Sequence, residues 1–115
     1  MRGVGNETRR AFIGEEWSAM PTYISLVNWT EQGIKNSKDT VRRAREFRSD
    51  VERRGGKVLS IYWTLGRYDL VTVTEFPDEQ TAMAQLLALG SIGNIRTETL
   101  QAFADSEVEA IIRKM

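Results

Sequence analysis

Alternating apolar and polar positions predict β-strands over much of the chain. Residues 22–29 are rich in β-branched and aromatic side chains and contain no helix breaker, which is typical of a strand. Residues 57–65 and 68–76 have the same character, and Gly66-Arg67 lies between them. A two-residue link that begins with glycine favours a tight hairpin turn, because glycine tolerates a positive φ.

A fourth strand is predicted over residues 94–103, and three segments have helical periodicity. Residues 37–54 form the first predicted helix, and its apolar side chains fall on one narrow stripe: Val41, Ala44, Phe47 and Val51. The second helix is capped by Asp78 and runs to about Leu89. A last helix begins near Ser106.

The order of these elements, βαββαβ followed by a helix, predicts an α+β fold of the ferredoxin-like kind. Its largely antiparallel sheet would have the first two helices on one face. Residues 1–19 have no sustained period, and Met20 stands just before the first strand. We therefore expect a flexible N-terminal extension over residues 1–19 and a folded domain over residues 20–115. In the alternative, the extension docks on the domain through Phe12, Ile13 and Trp17.

Composition narrows the possible chemistry. The chain has 115 residues, of which 41% are hydrophobic, so we expect one domain. It contains no cysteine and no histidine, which excludes disulfides and removes the commonest metal ligand and general base. We expect neither a metal nor a cofactor.

Sixteen basic and 16 acidic residues balance, which argues against nucleic-acid binding. No apolar run has the length of a membrane span and no signal peptide is recognisable, so a cytoplasmic protein is expected.

The sheet face away from the helices is predicted to be apolar in part. With the tight turn, Thr64 lies opposite Asp69 and Tyr62 lies opposite Val71. One face would then hold Ser60, Tyr62, Thr64 and Asp69, and the other would hold Leu59, Ile61, Trp63 and Leu70. Because both faces hold large apolar or aromatic groups, we expect two sheets to pack face to face in a homodimer or a higher oligomer.

Residues of the second hairpin resemble a known family. The element Gly66-Arg67-Tyr68-Asp69 is similar to the signature of GYD domain proteins. Three further stretches extend the resemblance: residues 23–30, 75–79 and 93–100. The resemblance implies a dimeric α/β-barrel and no established reaction. The hairpin is also similar to the effector domains of Lrp/AsnC regulators, which bind small molecules at subunit interfaces.

Candidate site residues come from this hairpin and from the first and last predicted strands. Asp69 either hydrogen-bonds the hairpin or serves as a general base or ligand anchor, and Tyr62 is the other catalytic candidate. Arg96 either pairs with Glu98 of a neighbouring chain or meets an anionic ligand. The residues predicted to form a ligand site or an interface are Asn28, Trp29, Tyr62, Thr64, Gly66, Tyr68, Asp69 and Arg96.

The first predicted helix is basic. Residues 35–57 hold nine cations and four acids, which gives a net charge of 9 − 4 = +5. This is either a solvated face or a docking surface for an acidic partner.

The sequence predicts a homo-oligomeric module that binds a partner or a small molecule at the subunit interface. The alternatives are a small cofactor-free barrel enzyme, of the oxygenase or isomerase type, and an architectural subunit of a larger complex.

Overall fold

A computed structural model describes residues 20–115, together with the backbone of residues 11–13 and 16–18. The two short segments are strands β1 (Ala11–Ile13) and β2 (Glu16–Ser18), which pair antiparallel. The flexibility predicted for residues 1–19 concerns positions that lie largely outside the described residues. The same holds for docking through Phe12, Ile13 and Trp17, whose side chains are not described.

The main sheet has four antiparallel strands. They are β3 (Thr22–Trp29), β4 (Lys57–Trp63), β5 (Leu70–Glu75) and β6 (Ile95–Ala102), arranged in the order β4-β5-β3-β6. The first strand of the domain, β3, therefore lies at the centre, between β5 and β6. This order confirms the predicted ferredoxin-like α+β fold.

Two long helices lie on one side of this sheet. The helices of the domain are α1 (Glu31–Lys35), α2 (Thr40–Arg53), α3 (Glu79–Ile92) and α4 (Asp105–Ile112), with a short 3-10 turn over Ser37–Asp39 before α2. α2 packs along β4 and α3 packs along β6, so these two helices cover the two outer strands. α4 follows β6 as the predicted C-terminal helix.

The link between β4 and β5 differs from the tight turn predicted from Gly66-Arg67. The strands end at Trp63 and begin at Leu70, so residues 64–69 form a wider loop. The predicted register is nevertheless confirmed, because Tyr62 pairs with Val71. Gly66 has a φ of 111°, which is the positive φ that the sequence predicted for it. The loop is wider because the residues after Gly66 are bonded to other elements, as described below.

A register shift between Val58 and Ser60 makes β4 bulge at Leu59. Leu59 is therefore 46% exposed, and it does not join Ile61 and Leu70 under the helices as the simple alternation predicted.

The hydrophobic core lies where α2 ends and α3 begins. It consists of Tyr23, Val51, Val58, Phe76 and Ala82, with Phe47 and Ile61 packed against it. The Tyr23 and Phe76 rings meet edge to face, with their centroids 6.1 Å apart. The predicted apolar stripe of the first helix is thus confirmed for Phe47 and Val51, whereas Val41 is half exposed.

α1 is fastened to the loop that precedes β6. The Thr30 N–H donates to the Asn94 carbonyl at 3.0 Å, and the Thr30 hydroxyl donates to the Gly93 carbonyl at 2.6 Å. The helix α3 extends beyond the predicted stop at Leu89 and ends at Ile92, with Gly93 as its C-cap. No helix within residues 20–115 is long and apolar enough to cross a membrane.

Candidate functional site

Asp69 joins the loop of residues 64–69 to the central strand. β5 begins only at Leu70, so it offers no backbone acceptor to the last residue of β3. The Asp69 carboxylate takes that place and accepts the Trp29 N–H at 2.9 Å. The Asp69 N–H donates to the Val27 carbonyl at 2.8 Å, and the Thr64 N–H donates to the Asp69 carbonyl at 2.9 Å. Asp69 therefore anchors the loop by three hydrogen bonds.

The rest of the loop is held by Thr64 and Tyr68. The Thr64 hydroxyl donates to the Tyr68 carbonyl at 2.6 Å, which closes the loop across Gly66. The Tyr68 hydroxyl donates to the Glu98 carboxylate at 3.1 Å, and the Arg67 guanidinium lies 5.7 Å from the centre of the Tyr68 ring. The sequence Gly-Arg-Tyr-Asp thus contacts two neighbouring strands, β3 and β6.

A shallow polar depression of about 240 Å³ lies beside this loop. Three predicted site residues line it, namely Asn28, Tyr68 and Arg96, together with Arg67 and Glu98. Asn28 and Arg96 are direct cross-strand partners in the β3–β6 pair. Arg96 is exposed and makes no ion pair with another described residue of its own chain.

Tyr62 and Trp29, the predicted site residues that lie on strands outside this depression, are on opposite faces of the sheet. Tyr62 pairs with Val71 and is 64% exposed, on the face opposite to α2 and α3. The Trp29 side chain lies on the other face, under these helices. Trp29 is joined to Asp69 through its backbone N–H, and the two catalytic candidates, Asp69 and Tyr62, share no hydrogen bond.

The sheet face opposite to α2 and α3 carries an apolar band across its strands. Two of its central cross-strand pairs are Ile24 with Val73 and Leu26 with Val71. The band continues on β6 through Leu100, which pairs with Ile24 and is half exposed. We call this surface, made of Ile24, Leu26, Tyr62, Val71, Val73 and Leu100, the open face.

A deeper cavity of about 300 Å³ lies on the helix-covered side, between the sheet and helices α2 and α3. Its floor consists of strand residues with small or hydroxyl-bearing side chains: Ser25, Val27, Thr72, Thr74, Thr97 and Thr99. Its walls are apolar and include Trp29, Phe47, Leu70, Leu86 and Leu89.

The cavity exists because large side chains are missing from the middle of the helix-covered face. Ser25 and Thr72 are nearly fully buried there, and they are direct cross-strand partners. The cavity opens to solvent at its mouth, so we expect solvent or a resident molecule to fill it.

Tyr23 borders the cavity and the core. Its side chain is 9% exposed, and its hydroxyl is buried without a hydrogen-bond partner among the described residues. Burial raises the pKa of the Tyr23 phenol above its usual value, and the charges of Glu79 and Asp78 raise this pKa further. The buried phenol is thus held in its neutral form.

The sequence prediction missed the cavity floor, although a signal was present. In the segments 23–27 and 70–76, every second residue faces the helices, and several of these inward positions are Ser or Thr rather than large apolar residues. Hydroxyl-bearing residues at buried strand positions indicate either a hydrogen-bonded core or an incompletely filled one. No group of histidine, cysteine, aspartate or glutamate side chains in the described part of the chain could hold a metal ion.

A four-stranded antiparallel sheet with two long helices on one face defines a ferredoxin-like α+β domain. Within that class the chain belongs to the GYD domain family, whose sequence profile matches residues 23–112. This confirms the resemblance of the Gly-Arg-Tyr-Asp loop.

A curated relative comes from Thermus thermophilus and is named glutamine synthetase and cystathionine beta-lyase binding protein. It is 34% identical over 95 residues, which cover 82% of this chain and the whole of the relative. No solved structure matches the chain.

Proposed function

We propose that this protein is a non-catalytic binding module that forms a homodimer through its open face and holds a metabolic enzyme as its partner. The observation that carries the dimer is the apolar band across the sheet. Its members Ile24, Leu26, Val71 and Val73 occupy the two central strands, on the side away from α2 and α3. Contiguous apolar surface of this kind is typical of protein–protein interfaces.

The predicted interface residues fit the rim of such a dimer. Tyr62 lies at the edge of the open face, and Asn28, Tyr68 and Arg96 line the polar depression beside it. A polar rim around an apolar centre is the usual anatomy of an interface. Ion pairing of Arg96 with Glu98 of the second copy stays a prediction. The binding of a small molecule at the subunit interface also stays a prediction, and we expect this depression to be its site.

Support for an enzyme partner comes from the relative, whose name says that it binds two enzymes. That relative is matched over its whole length, so the likeness includes the entire binding protein. Glutamine synthetase and cystathionine β-lyase are therefore the first candidates for the partner of this chain.

The outer face of α2, together with the 3-10 turn that precedes it, is our proposed enzyme-docking surface. Some cations of this region are engaged within the chain, because Arg42 pairs with Glu46 and the Arg48 guanidinium donates to the Val58 carbonyl. Lys38 and Arg45 are exposed and make no ion pair with another described residue. They are the cations best placed to meet an acidic surface.

The enzyme alternative has less support from the geometry. A general base needs a free carboxylate that faces substrate, whereas the Asp69 carboxylate accepts the Trp29 N–H. If Asp69 were a catalytic base, Asp69→Asn would abolish turnover and leave the melting temperature almost unchanged. The anchoring role predicts instead that Asp69→Ala, which removes the acceptor, lowers the stability.

Sedimentation velocity tests the dimer. We expect the wild type to sediment as a dimer and Val71→Glu to sediment as a monomer, because an unpaired carboxylate would be buried in the interface. Met83→Glu is the matched control, since Met83 is 57% exposed on α3, away from the open face. A monomeric wild type, or an equal effect of the two substitutions, would contradict the proposal.

Co-elution with purified glutamine synthetase and with cystathionine β-lyase from the same organism tests the partner. We expect at least one of the two enzymes to shift the binding protein to a larger complex. Charge reversal in Lys38→Glu/Arg45→Glu should remove this shift, whereas reversal of Lys57, a cation on the edge strand β4, should not. If neither enzyme binds, the enzyme-partner part of the proposal fails and the dimer can still stand.

A further inference from the structure

The cavity between the sheet and the helices α2 and α3 is a ligand site of each single copy. We propose that it binds an uncharged, largely apolar ring compound that carries a hydroxyl group. The site lies on the side of the sheet opposite to the open face, so it depends neither on the proposed dimer nor on the enzyme partner. Its volume of about 300 Å³ is within the range of small-molecule pockets.

The shape of the cavity follows from the placement of the helices. α2 lies along β4 and α3 lies along β6, which leaves the central strands β3 and β5 beneath the gap between them. Ser25 and Thr72 face this gap with short side chains, and Leu86 and Leu89 of α3 border it. A flat ring compound would fill the space that these side chains leave.

The hydroxyl groups of the floor supply directional contacts. The Ser25 and Thr99 hydroxyls are bonded to each other at 2.8 Å. Thr72 makes no side-chain hydrogen bond to another described residue, although it is only 7% exposed. Thr72 lines the cavity and its hydroxyl can both donate and accept, so a hydroxyl of the ligand is the group that fits here.

The charges at the mouth of the cavity argue for an uncharged ligand. Arg42 is paired with Glu46 at 2.9 Å, and the Arg43 guanidinium donates to the Asn36 carbonyl at 2.9 Å. Asp50 is paired with the arginine that follows it by three residues. The described floor beneath them holds no charged side chain. An ionic group that reached the floor would lose its hydration without a charge partner there.

Three probes with the same ring test this inference: naphthalene, 2-naphthol and 2-naphthalenesulfonate. Binding is followed by isothermal titration and by quenching of tryptophan fluorescence, because Trp29 lines the cavity. We expect saturable binding of one 2-naphthol per chain. We expect about fivefold weaker binding of naphthalene, which lacks one hydrogen bond, and the weakest binding by the sulfonate.

Two variants of Thr72 locate the site. Thr72→Leu fills the cavity and should weaken 2-naphthol and naphthalene by about tenfold or more. Thr72→Val keeps the shape and removes the hydroxyl, so it should abolish the preference for 2-naphthol over naphthalene. Val71→Thr is the matched control, because Val71 is the adjacent residue on the opposite face, and it should leave the binding of all three probes unchanged.

Circular dichroism confirms that each variant is folded, and Thr72→Val keeps the test valid if Thr72→Leu does not fold. The inference is overturned by a wild type that binds none of the probes saturably. It is equally overturned if the sulfonate binds best, or if Val71→Thr removes binding while the Thr72 variants retain it. The last result would place the probe on the open face.

Discussion

The side-chain carboxylate of Asp69 accepts the backbone N–H of Trp29 at 2.9 Å, across a place where the neighbouring strand has ended. Asp69, the last residue of the Gly-Arg-Tyr-Asp element, thus supplies the acceptor for the Trp29 N–H of the central strand. This relationship gives the Gly-Arg-Tyr-Asp loop a structural role that does not depend on any ligand.

Asp69→Ala should lower the free energy of unfolding by about 1–3 kcal/mol, because a partly buried N–H loses a charged acceptor. Asp69→Asn should cost less, since its amide oxygen can still accept. Urea unfolding followed by circular dichroism measures both values. Equal stabilities of the wild type and Asp69→Ala would contradict the anchoring role.

Gly33 should not tolerate a side chain. A Cβ atom at this position would lie only 1.9 Å from the Asn94 carbonyl oxygen, which belongs to the loop bonded to Thr30. We expect Gly33→Ala to lower the free energy of unfolding by about 2–4 kcal/mol, as a severe backbone clash does.

Gly90→Ala is the matched control for Gly33→Ala. Gly90 lies within α3, and a Cβ atom there would meet no other atom within 4 Å. Alanine has the higher helix propensity, so this variant should be more stable by about 0.4–1 kcal/mol. A Gly33→Ala variant as stable as the wild type would contradict the close approach of Gly33 to Asn94.

Stability should fall at alkaline pH because of Tyr23. Burial, with the charges of Glu79 and Asp78, raises the pKa of the Tyr23 phenol above the value of 10.0 of the unfolded chain. Above about pH 10, the unfolded chain therefore loses this proton while the folded chain keeps it, and folding is disfavoured. The contribution of the Tyr23 phenol to the stability of the fold is fully present below pH 10 and is lost as the pH rises through the pKa of the folded state.

Tyr23→Phe should reduce this alkaline loss, as measured by the urea midpoint between pH 8 and pH 11. It should not destabilise the protein at pH 7, because the hydroxyl that it removes is buried without a partner in the described part of the chain. Tyr62→Phe, at a side chain that is 64% exposed, is the control. Identical alkaline profiles for the wild type and Tyr23→Phe would refute the prediction.

Asp78 should contribute a loss of stability in acid. Its carboxylate accepts hydrogen bonds from the Thr81 N–H and the Thr81 hydroxyl, both at 2.7 Å, and these bonds lower the pKa of Asp78. Because the folded pKa is depressed, the stabilisation is present above the unfolded value of 3.8 and is lost as the pH falls through the folded pKa.

Asp78→Ser keeps an N-cap without the titrating group. We therefore expect Asp78→Ser to lose less stability than the wild type as the pH falls. Asp78→Ala should also be less stable at neutral pH. Thermal unfolding between pH 2.5 and pH 7 checks both expectations. An unchanged acid limb in Asp78→Ser would show that other carboxylates control it.

The order of elements, the register of Tyr62 with Val71 and the positive φ of Gly66 could be predicted from the sequence, because each follows from local periodicity or from a single residue type. The length of the loop around Gly66 could not be predicted in this way. Asp69 and Trp29 are 40 residues apart in the chain, and only their contact shows why the strands end early.

Fold class and family follow from the amino-acid sequence alone, since alternation, caps and the Gly-Arg-Tyr-Asp element are properties of short segments. The position of the cavity and the meeting of candidate residues depend on tertiary packing. Asn28 and Arg96 come together because β3 and β6 are neighbours, while Trp29 turns to the other face. The space above Ser25 and Thr72 depends on how far apart two helices rest on the sheet, and that distance is set by packing across the whole domain rather than by any local pattern.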